Sequence, residues 1–327
     1  MKVLVTGATG MLGRGVAMAL LERGDQVTVQ QRRPAHLGCR EFLGDVADSA
    51  AVGRAMRGQD AVIHLAAKVD VVGPWADYAR ANVEGTKVLI AAARSGSVQR
   101  FVNVSSPSVA HSGSAIVGAE AGLAKPEAAR SNYSRSKAIA ERIALGADGS
   151  DLAVLSIRPH LVWGAADSQL IKPVIERASA GRLPIVGTGA ALMDTTYIDN
   201  AVDALVAALD RCGPVHGQAL VVSNGEPRSI GEILSRICAA AGVPVPRRHI
   251  PLTVASTAGI VVEKLWEAAG LRSQPPMTRF LAEQMGTAHW FDQRRTRQAL
   301  GWVPKVTLAE GFERLRAGLR PTSSLRP

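Results

Sequence analysis

The chain opens with KVLVTGATGMLG (residues 2–13), and this stretch decides its fold. Residues 2–5 form a short apolar run, which is typical of a buried parallel strand. Residues 11–23 are rich in Ala and Leu and are followed by Gly24, which predicts a helix that ends there. A strand, a tight glycine turn and a helix N-terminus together form a cradle for the pyrophosphate of a dinucleotide.

The three glycines of this turn meet three different steric demands. Gly7 allows the tight turn, Gly10 lets a pyrophosphate approach the backbone, and Gly13 lets the helix pack closely on the strand. An ordinary glycine-rich turn is the alternative, but the position directly after a strand favours a cofactor site. The residues of the turn that we expect to contact the cofactor are Gly7, Thr9, Gly10, Met11 and Leu12.

A second motif, YSRSK (residues 133–137), places Tyr133 and Lys137 four residues apart. Ser131 is a good N-cap and residues 132–145 are predicted to be helical, so both side chains lie on one helix face. This spacing is common by chance when it stands alone. Together with the glycine turn it predicts a nicotinamide site with an acid–base tyrosine.

The chemistry of such a site explains these residue types. Hydride addition to a carbonyl produces an alkoxide, and a tyrosine supplies the proton only if its pKa falls from about 10 toward neutrality. A fall of about three units requires about 4 kcal/mol, and one ammonium ~5 Å away contributes about 3 kcal/mol at an effective dielectric of ~20. We therefore expect Lys137 to lower the pKa of Tyr133. A hydroxyl must also hold the carbonyl oxygen, and we expect Ser106 in this role, with Ser105 and Ser108 as competitors and a strand-end cap as the structural alternative.

Strand-like and helix-like segments alternate along the first half of the chain. The predicted strands are 2–5, 26–30, 41–43, 61–64, 101–104 and 152–157, and the predicted helices are 11–23, 49–57, 77–94 and 132–145. This alternation predicts an α/β fold with a Rossmann-type, doubly wound parallel sheet, followed by a smaller, mostly helical substrate-binding cap.

The same alternation sets the expected domain boundaries. Residues 1–160 are expected to form the NAD(P)-binding Rossmann domain, with 197–223 returning to it. Residues 161–196 and 224–320 are expected to form the cap, and 321–327 a flexible tail. Parallel sheets bind ligands beyond the carboxyl ends of their strands. The residues predicted at those ends are Gly7, Gln31, Asp45, 64–67, Ser105 and Ser106.

Composition excludes several classes of protein. The chain has 327 residues, 47% hydrophobic and 20% charged, as in a globular protein, and no apolar run reaches the ~18 residues that cross a bilayer. The first strand begins at residue 2, so we expect no signal or transit peptide. Cys39, Cys212 and Cys238 are scattered, which indicates no metal site and no disulfide framework and agrees with a cytoplasmic protein.

The chain is strongly basic, with a net charge of +10. Arginines cluster at 32–33, 247–248 and 294–297, but no aromatic residues interleave them, which argues against a nucleic-acid partner. A solvated arginine-rich surface is the simplest interpretation. Attraction to an anionic cofactor, an acyl carrier or a membrane surface is the alternative.

The order of these motifs resembles that of the extended short-chain dehydrogenase/reductase family over nearly the whole chain. The matching stretches are TGATGMLG (6–13), Asp45 in LGDV (43–46), Asp60 with HLAA (60–67), NVEGT (82–86), VSS (104–106), YSRSK (133–137), RPHLVWGAAD (158–167) and TTYIDNAV (195–202). Within this family the chain is most similar to the 3β-hydroxysteroid dehydrogenase/isomerase branch, which includes sterol and 2-alkyl-3-oxoacid reductases. The stretches that indicate this branch are SSPSV (105–109), DTTYIDN (194–200) and HWFDQRRTRQALGWVP (289–304).

The resemblance implies further contacts and an oligomeric state. It implies that Asp45 accepts from the adenine, with a turn cap as the alternative, and that Lys137 holds the nicotinamide ribose beside Tyr133. The remaining cofactor contacts that it implies are Val46, Leu65, Ala66, Ala67 and Pro159. It also implies a homodimer.

The choice of coenzyme is expected to lie after the second strand. Gln31 stands where relatives that use NAD carry an acidic residue, and Arg32 and Arg33 follow it. Without a carboxylate there is no repulsion against a 2′-phosphate, and an arginine can bind that phosphate through two bonds. We therefore expect Gln31 and Arg32 to contact the cofactor and NADP(H) to be favoured over NAD(H). The alternative is that the arginines are solvated and the glutamine serves either nucleotide.

The activity that the resemblance implies is NAD(P)-dependent interconversion of a ketone and a secondary alcohol on a largely apolar small molecule. Nucleotide-sugar 4,6-dehydratases carry Thr-Asp-Glu where residues 105–107 read Ser-Ser-Pro here. The chain has no acid pair at this position to eliminate water, so dehydratase activity is not expected. A nucleotide-sugar 4-epimerase is the first alternative, although Met193 and Ala110 stand where epimerases carry an arginine and a tyrosine. A non-catalytic NADP-binding sensor or structural protein is the second.

Three further polar residues and an apolar set have their own expectations. His64 is expected to be buried and satisfied, Asn82 to tie its helix to a strand, and His160 to face either the core or the substrate. Apolar residues of the later region could wall a substrate pocket or simply form core. They are Leu161, Val162, Trp163, Val174, Ile175, Ile260, Val261 and Leu265.

Overall fold

A computed structural model of the chain describes residues 1–70, 72–269, 271 and 275–319. The predicted tail, 321–327, lies outside the described residues. The strands are β1 Lys2–Thr6, β2 Gln26–Gln31, β3 Arg40–Leu43, β4 Ala61–His64, β5 Arg100–Val104, β6 Ile116–Ala119, β7 Ala153–Pro159, β8 Val162–Trp163, β9 Ile185–Val186, β10 Leu192–Met193, β11 Thr196–Tyr197, β12 Gln218–Val222, β13 Arg228–Ser229, β14 His249–Ile250 and β15 His289–Phe291.

Helices fill the connections between these strands. The α-helices are α1 Met11–Glu22, α2 Ser49–Met56, α3 Trp75–Tyr78, α4 Gly85–Ser95, α5 Asn132–Gly146, α6 Ile171–Ser179, α7 Ile198–Val215, α8 Ile230–Ala241, α9 Leu252–Ala268, α10 Arg279–Gly286, α11 Arg294–Leu300 and α12 Leu308–Leu319. A π-helical stretch, Ala79–Glu84, joins α3 to α4, and 3₁₀ turns cover Pro107–Ala110 and Pro126–Ala128. Among the described residues, no helix is both long and apolar enough to cross a membrane.

The main sheet has seven strands in the order β12-β7-β5-β4-β1-β2-β3, and every neighbouring pair is parallel. The strands are short and apolar because helices cover both faces; all four residues of β4, for example, are buried. One apolar cluster joins the sheet to α1 and α7, and another joins it to α2, α4 and α5. The predicted doubly wound, Rossmann-type sheet is confirmed.

Two predicted boundaries are wrong. The strand predicted to end at Ile157 continues through Pro159, which pairs with Val222 of β12. A proline is tolerated there because it is the last residue of the strand, and the amide of His160 donates to Val222 in its place, at 2.9 Å. The helix predicted over 77–94 is divided by the π-helical stretch.

The second half of the chain first leaves the main sheet and then returns to it. Helix α7 packs on α1, and β12 forms the edge of the main sheet beside β7. Elsewhere a small sheet in the order β13-β10-β15-β6 and an apolar cluster under α6, α8 and α12 build a second layer. Trp163 stacks on Phe312 in that cluster, with ring centroids 4.6 Å apart. The exact domain division stays a prediction.

A buried ion pair fixes α5 to the sheet. Glu141 on α5 accepts two hydrogen bonds from the Arg158 guanidinium on β7, at 2.8 and 2.5 Å, and both side chains are almost completely buried. Arg158 also donates to the carbonyl of Gly122, and Ser156 donates to Glu141. The two charges and most of their hydrogen-bonding capacity are therefore satisfied inside the protein.

Removal of one partner of this pair should be costly. Glu141→Ala leaves the Arg158 guanidinium buried and uncompensated, so we expect the free energy of unfolding to fall by about 3–5 kcal/mol in urea denaturation. The matched control is Glu127→Ala, which breaks the exposed pair between Glu127 and Arg142 of the same helix. That variant should unfold close to the wild-type midpoint. Equal losses in the two variants would show that burial of the pair has no special importance.

Candidate active site

The site lies where the order of the parallel strands reverses. The chain runs from β1 outward to β3 and then returns to β4 on the other side of β1, so the loops after β1 and β4 diverge from a shared edge. Thr6 joins these loops, because its hydroxyl accepts from the amides of Leu65 and Ala66 at 3.2 and 3.1 Å. A crevice at such a switch point is the general ligand site of open α/β sheets.

Packing of the chain itself explains two of the three glycines. Gly7 has a φ of +79°, and a Cβ there would lie 2.8 Å from the Ala66 amide nitrogen. A Cβ on Gly13 would lie only 2.3 Å from the Gly7 carbonyl oxygen, so α1 could not approach the turn. A Cβ on Gly10 would lie 3.5 Å from its nearest neighbour, the Gly7 carbonyl oxygen, which is an ordinary contact distance. Gly10 is exposed, so its missing side chain leaves room for something outside the chain.

The N-terminus of α1 is suited to an anion. Gly10 is the N-cap, no side chain caps the helix, and the first turn contains no acidic residue. Uncapped amides and the positive end of the helix dipole therefore meet at the surface beside the glycine turn. Thr9 beside them is exposed, and Met11 and Leu12 are half-buried. These residues fit the pyrophosphate of a dinucleotide.

Ser106 and Tyr133 meet next to the end of β5. Ser106 caps the 3₁₀ turn Pro107–Ala110, and its hydroxyl lies 3.0 Å from that of Ser108. Tyr133 lies in the first turn of α5, which Ser131 caps through a capping box with Ser134. Ser106 stays partly exposed whereas Ser105 and Ser108 are buried, so Ser106 is the serine of this loop that a small molecule can reach.

Lys137 lies one helical turn beyond Tyr133 and is buried. Its ammonium donates to the carbonyl of Val104 at the end of β5. Burial lowers the pKa of Lys137 to about 8, and the carboxylate of Glu141 acts in the opposite direction. The side chain is therefore mainly protonated at neutral pH.

The expected fall in the Tyr133 pKa is not found. Burial raises the pKa of Tyr133 above its usual value, and interaction with the Ser106 hydroxyl only partly opposes this. The physical reason is that desolvation of the phenolate outweighs the other effects, while the Lys137 ammonium is engaged by Val104. The phenol is accordingly a proton donor throughout the neutral range.

At the end of β2, Gln31 has a different partner from the cofactor contact that was expected. Gln31 is buried, and its amide donates to the carboxylate of Glu41 on β3, which also accepts from the Ala35 amide at 2.7 Å. Sequence reasoning missed Glu41. The available signal was its place on the strand paired with β2, two residues before Leu43, the register partner of Gln31. Arg32, by contrast, is exposed.

The acidic loop after β3 is ordered by local bonds. Asp45 accepts from the Ala47 amide at 2.9 Å and forms an ion pair with Arg80 at 3.2 Å. Asp45 thus caps its own turn and keeps part of its surface exposed. Val46 is buried against Gly85, where a Cβ would lie 2.6 Å from a Val46 methyl group.

The other residues predicted to contact the cofactor are all half-buried near their strand ends. They are Leu65, Ala66, Ala67 and Pro159.

His64 behaves as predicted, whereas Asn82 bonds a loop and a second helix rather than a strand. His64 is buried between the hydroxyls of Thr6 and Thr86, at 2.8 and 3.2 Å, and burial lowers its pKa to about 3. Asn82, in the π-helical stretch, bonds both backbone groups of Lys68 and donates to Ser136 at 2.8 Å. Asn82 therefore ties the loop after β4 to α5, the helix that carries Tyr133.

The cap side of the site is mainly apolar. Met193 is buried in the apolar cluster that contains Trp163 and Val174. His160 is buried, packs edge-on against Phe291, and has its pKa lowered to about 3 by burial, so it is neutral.

Val261 and Leu265, expected as pocket walls or core, are 52% and 59% exposed, so this prediction is wrong for them. The described residues contain no cluster of three or more side chains suited to a metal ion.

The chain is similar to several known proteins over nearly its whole length. A curated relative, the 2-alkyl-3-oxoalkanoate reductase of Stenotrophomonas maltophilia, is 40% identical over 97% of this chain and 99% of its own. The 3-beta-hydroxysteroid dehydrogenase of Mycolicibacterium neoaurum is 30% identical over 95% of this chain and 89% of its own. Among solved structures, MoeE5 in complex with UDP-glucose and NAD is similar, with a TM-score of 0.76 and 26% identity over 98% of this chain and 99% of that one.

The family itself is identified by a sequence model that covers most of the chain. The model described as the NAD dependent epimerase/dehydratase family matches residues 3–223, from β1 to the residue after β12. This range contains the glycine turn, Ser106 and the pair Tyr133 and Lys137. The chain therefore belongs to the NAD-dependent epimerase/dehydratase family, the extended short-chain dehydrogenases/reductases.

Proposed function

We propose that this protein is an NADP(H)-preferring reductase that interconverts a ketone and a secondary alcohol on a largely apolar substrate, of the sterol or 2-alkyl-3-oxo acid type. The observation that carries the proposal is the meeting of Ser106 and Tyr133 at the end of β5, with the buried Lys137 ammonium one turn along the same helix. A homodimer and a cytoplasmic location stay predictions from the sequence.

The cofactor is held by the glycine turn and the neighbouring strand ends. Gly7, Gly10 and the uncapped amides of α1 would hold the pyrophosphate, and the half-buried Leu65 and Ala66 lie after the neighbouring strand β4. When bound, a reduced nicotinamide supplies the hydride for the carbonyl carbon. Lys137 would hold the ribose of the nicotinamide, and Asp45 would contribute at the adenine.

The chain's own side chains supply the proton and the orientation. Ser106 donates a hydrogen bond to the carbonyl oxygen, which aligns that oxygen with the Tyr133 phenol. Tyr133 then donates its proton to the developing alkoxide, and the positive charge of Lys137, one turn along the helix, offsets part of the desolvation cost of the phenolate that remains. Because burial raises the pKa of Tyr133, reduction should persist through neutral pH, whereas oxidation of the alcohol needs the phenolate and should rise as the pH rises.

The substrate class is supported by the cap and by the relatives. Met193 and its neighbours are apolar, so no charged side chain at that position is available to a nucleotide-sugar pyrophosphate. The relatives at 40% and 30% identity are named a 2-alkyl-3-oxoalkanoate reductase and a 3-beta-hydroxysteroid dehydrogenase. The 4-epimerase remains the second candidate because MoeE5, a similar structure, binds UDP-glucose and NAD.

The preference for NADP(H) rests on Arg32 and Arg33. Gln31 carries no charge of its own, and its amide and that of Ala35 both donate to the neighbouring Glu41 carboxylate, which offsets the negative charge at that position. Both arginines are exposed at the end of β2 and are free to turn toward a phosphate.

Coenzyme preference should therefore depend on these arginines. The double variant Arg32→Ser/Arg33→Ser removes a charge-assisted contact of about 1.5–3 kcal/mol, so the ratio of kcat/KM for NADPH over NADH should fall by about ten- to a hundredfold. The control, Arg54→Ser/Arg57→Ser, removes two exposed arginines of the α2 region. An unchanged ratio in the first variant, or an equal fall in the control, contradicts the assignment.

Two glycines of the turn should affect different properties, one cofactor binding and the other stability. Gly10→Ala should fold normally but bind NADPH about ten- to a hundredfold more weakly. The added methyl group would hold the pyrophosphate away from the backbone amides, and hydrogen bonds to a charged group contribute about 1.5–3 kcal/mol of binding free energy. Gly13→Ala should instead lower the melting temperature, since its Cβ collides with the Gly7 carbonyl. Gly53→Ala on α2 has open space around it and serves as the control. Fluorescence titration and thermal unfolding report binding and stability, and tight binding by a folded Gly10→Ala protein would contradict the cradle.

The proposed proton donor is tested by Tyr133→Phe. This change removes one hydroxyl, so we expect kcat for ketone reduction to fall about 10²–10⁴-fold while NADPH still binds. Turnover is measured as NADPH oxidation with 2-alkyl-3-oxo acids of increasing alkyl length. If the variant keeps more than about a tenth of wild-type kcat, Tyr133 is not the general acid.

The same assay separates the proposed substrates from the alternatives. Each buried CH₂ contributes about 0.8 kcal/mol, so kcat/KM should rise with alkyl length until the pocket is full. Interconversion of UDP-glucose and UDP-galactose without any dependence on alkyl length would support the epimerase instead. Binding of NADPH without turnover of any ketone in a stopped-flow experiment would support the non-catalytic sensor.

A further inference from the structure

Helix α9 (Leu252–Ala268) presents an apolar stripe that remains exposed in the described part of the chain. Its inward face packs directly on the start of α10, where a Cβ on Gly259 would lie 2.4 Å from the Arg279 amide nitrogen. On another face lie Val254, Val261 and Leu265, which are 55%, 52% and 59% exposed. Steps of seven and four residues place them along one side of a helix. We call these three residues, with the exposed Ala258 between them, the α9 stripe.

The apolar surface extends past both ends of the helix. Val245 before α9 and Leu271 after it are 43% and 48% exposed. Within the part of the chain that the structure describes, five of the thirteen exposed large hydrophobic residues thus fall between 245 and 271. Single exposed apolar residues are normal, but a concentration of this kind indicates an interaction surface.

Cations flank the α9 stripe. Arg247 and Arg248, in the segment that leads into the helix, and Lys264 on the helix are exposed. Within the described residues none of these three cations forms a salt bridge. Of the two nearby carboxylates, Glu263 faces inward, where it accepts from the Arg279 amide at 2.9 Å, and Glu267 is exposed. The surface therefore combines apolar side chains with a local excess of positive charge.

This combination selects between occupants. A second copy of the chain docked through this same surface would bring the same exposed cations, Arg247, Arg248 and Lys264, against it, which is unfavourable. An anionic lipid bilayer offers negative headgroups for the cations and an acyl boundary for the stripe. We propose that α9 and residues 245–248 form a peripheral docking surface for an anionic membrane. The proposal depends on the folded cap alone and not on the proposed reaction.

Vesicle binding by the full-length protein tests this surface. The protein is floated with vesicles of phosphatidylcholine alone and with vesicles of equal parts phosphatidylcholine and phosphatidylglycerol, without substrate. Partitioning to the anionic vesicles should be at least about tenfold stronger and should weaken as salt is added, because the surface cations are attracted to the anionic headgroups and salt screens this attraction. Equal partitioning to both vesicle types, or none to either, overturns the proposal.

Two variants separate the contributions of the stripe and the cations. Val261→Glu/Leu265→Glu should lower binding to anionic vesicles at least about tenfold, and Arg247→Gln/Arg248→Gln should remove most of the preference for anionic over neutral vesicles. The matched control, Leu123→Glu/Val303→Glu, places the same charges on apolar residues that are 82% and 59% exposed elsewhere. The control should bind like the wild type.

Folding and self-association are followed in the same samples. All the substituted residues are exposed, so every variant should keep the wild-type melting temperature and NADPH binding. Equal loss of vesicle binding in the control would show that net charge, rather than the α9 stripe, is responsible, and it would overturn the proposal. The proposal is equally overturned if the wild type self-associates in gel filtration, Val261→Glu/Leu265→Glu is monomeric, and neither binds vesicles, because the stripe then belongs to a second copy.

Discussion

The buried ion pair between Glu141 and Arg158 is the constraint on which the geometry of the site depends. It joins α5 to β7 at two points and reaches Gly122 in the connection that precedes α5. Lys137 lies one turn before Glu141 on the same helix, and Tyr133 lies one turn before Lys137. The depth at which α5 sits on the sheet therefore sets where the phenol and the ammonium stand relative to β5, and Asn82 fixes the same helix from the other side through Ser136.

The reacting groups meet because of the sheet topology. Neighbouring parallel strands bring the ends of β1, β4 and β5 to one edge, and the glycine turn lets α1 begin there. Gly7 and Gly13 are needed by the chain's own backbone, whereas Gly10 leaves space that the chain does not use. Stability and ligand binding thus make separate demands within one motif of eight residues, TGATGMLG (6–13).

The parts that could be predicted from the sequence are those set by local patterns. The glycine turn and the alternation of apolar strands and helices predict the fold, since these signals act over a few residues. The missed features depend on contacts between distant segments. Glu41 reaches Gln31 only because β3 pairs with β2, and burial by surrounding elements raises the pKa of Tyr133 although a lysine lies four residues away. The exposure of Val261 and Leu265 likewise depends on which face of α9 meets α10.

The most direct test of the proposed reaction is the transfer of deuterium from NADPH that carries deuterium in place of both hydrogens at C4 of the nicotinamide. The wild-type protein is incubated with the labelled cofactor and a 2-alkyl-3-oxo acid, and the hydroxy product is analysed by mass spectrometry. We predict deuterium on the carbinol carbon, with release of a stoichiometric amount of oxidised cofactor. A hydroxy product without deuterium, or turnover of a nucleotide sugar with the cofactor retained and no ketone reduced, would contradict the account.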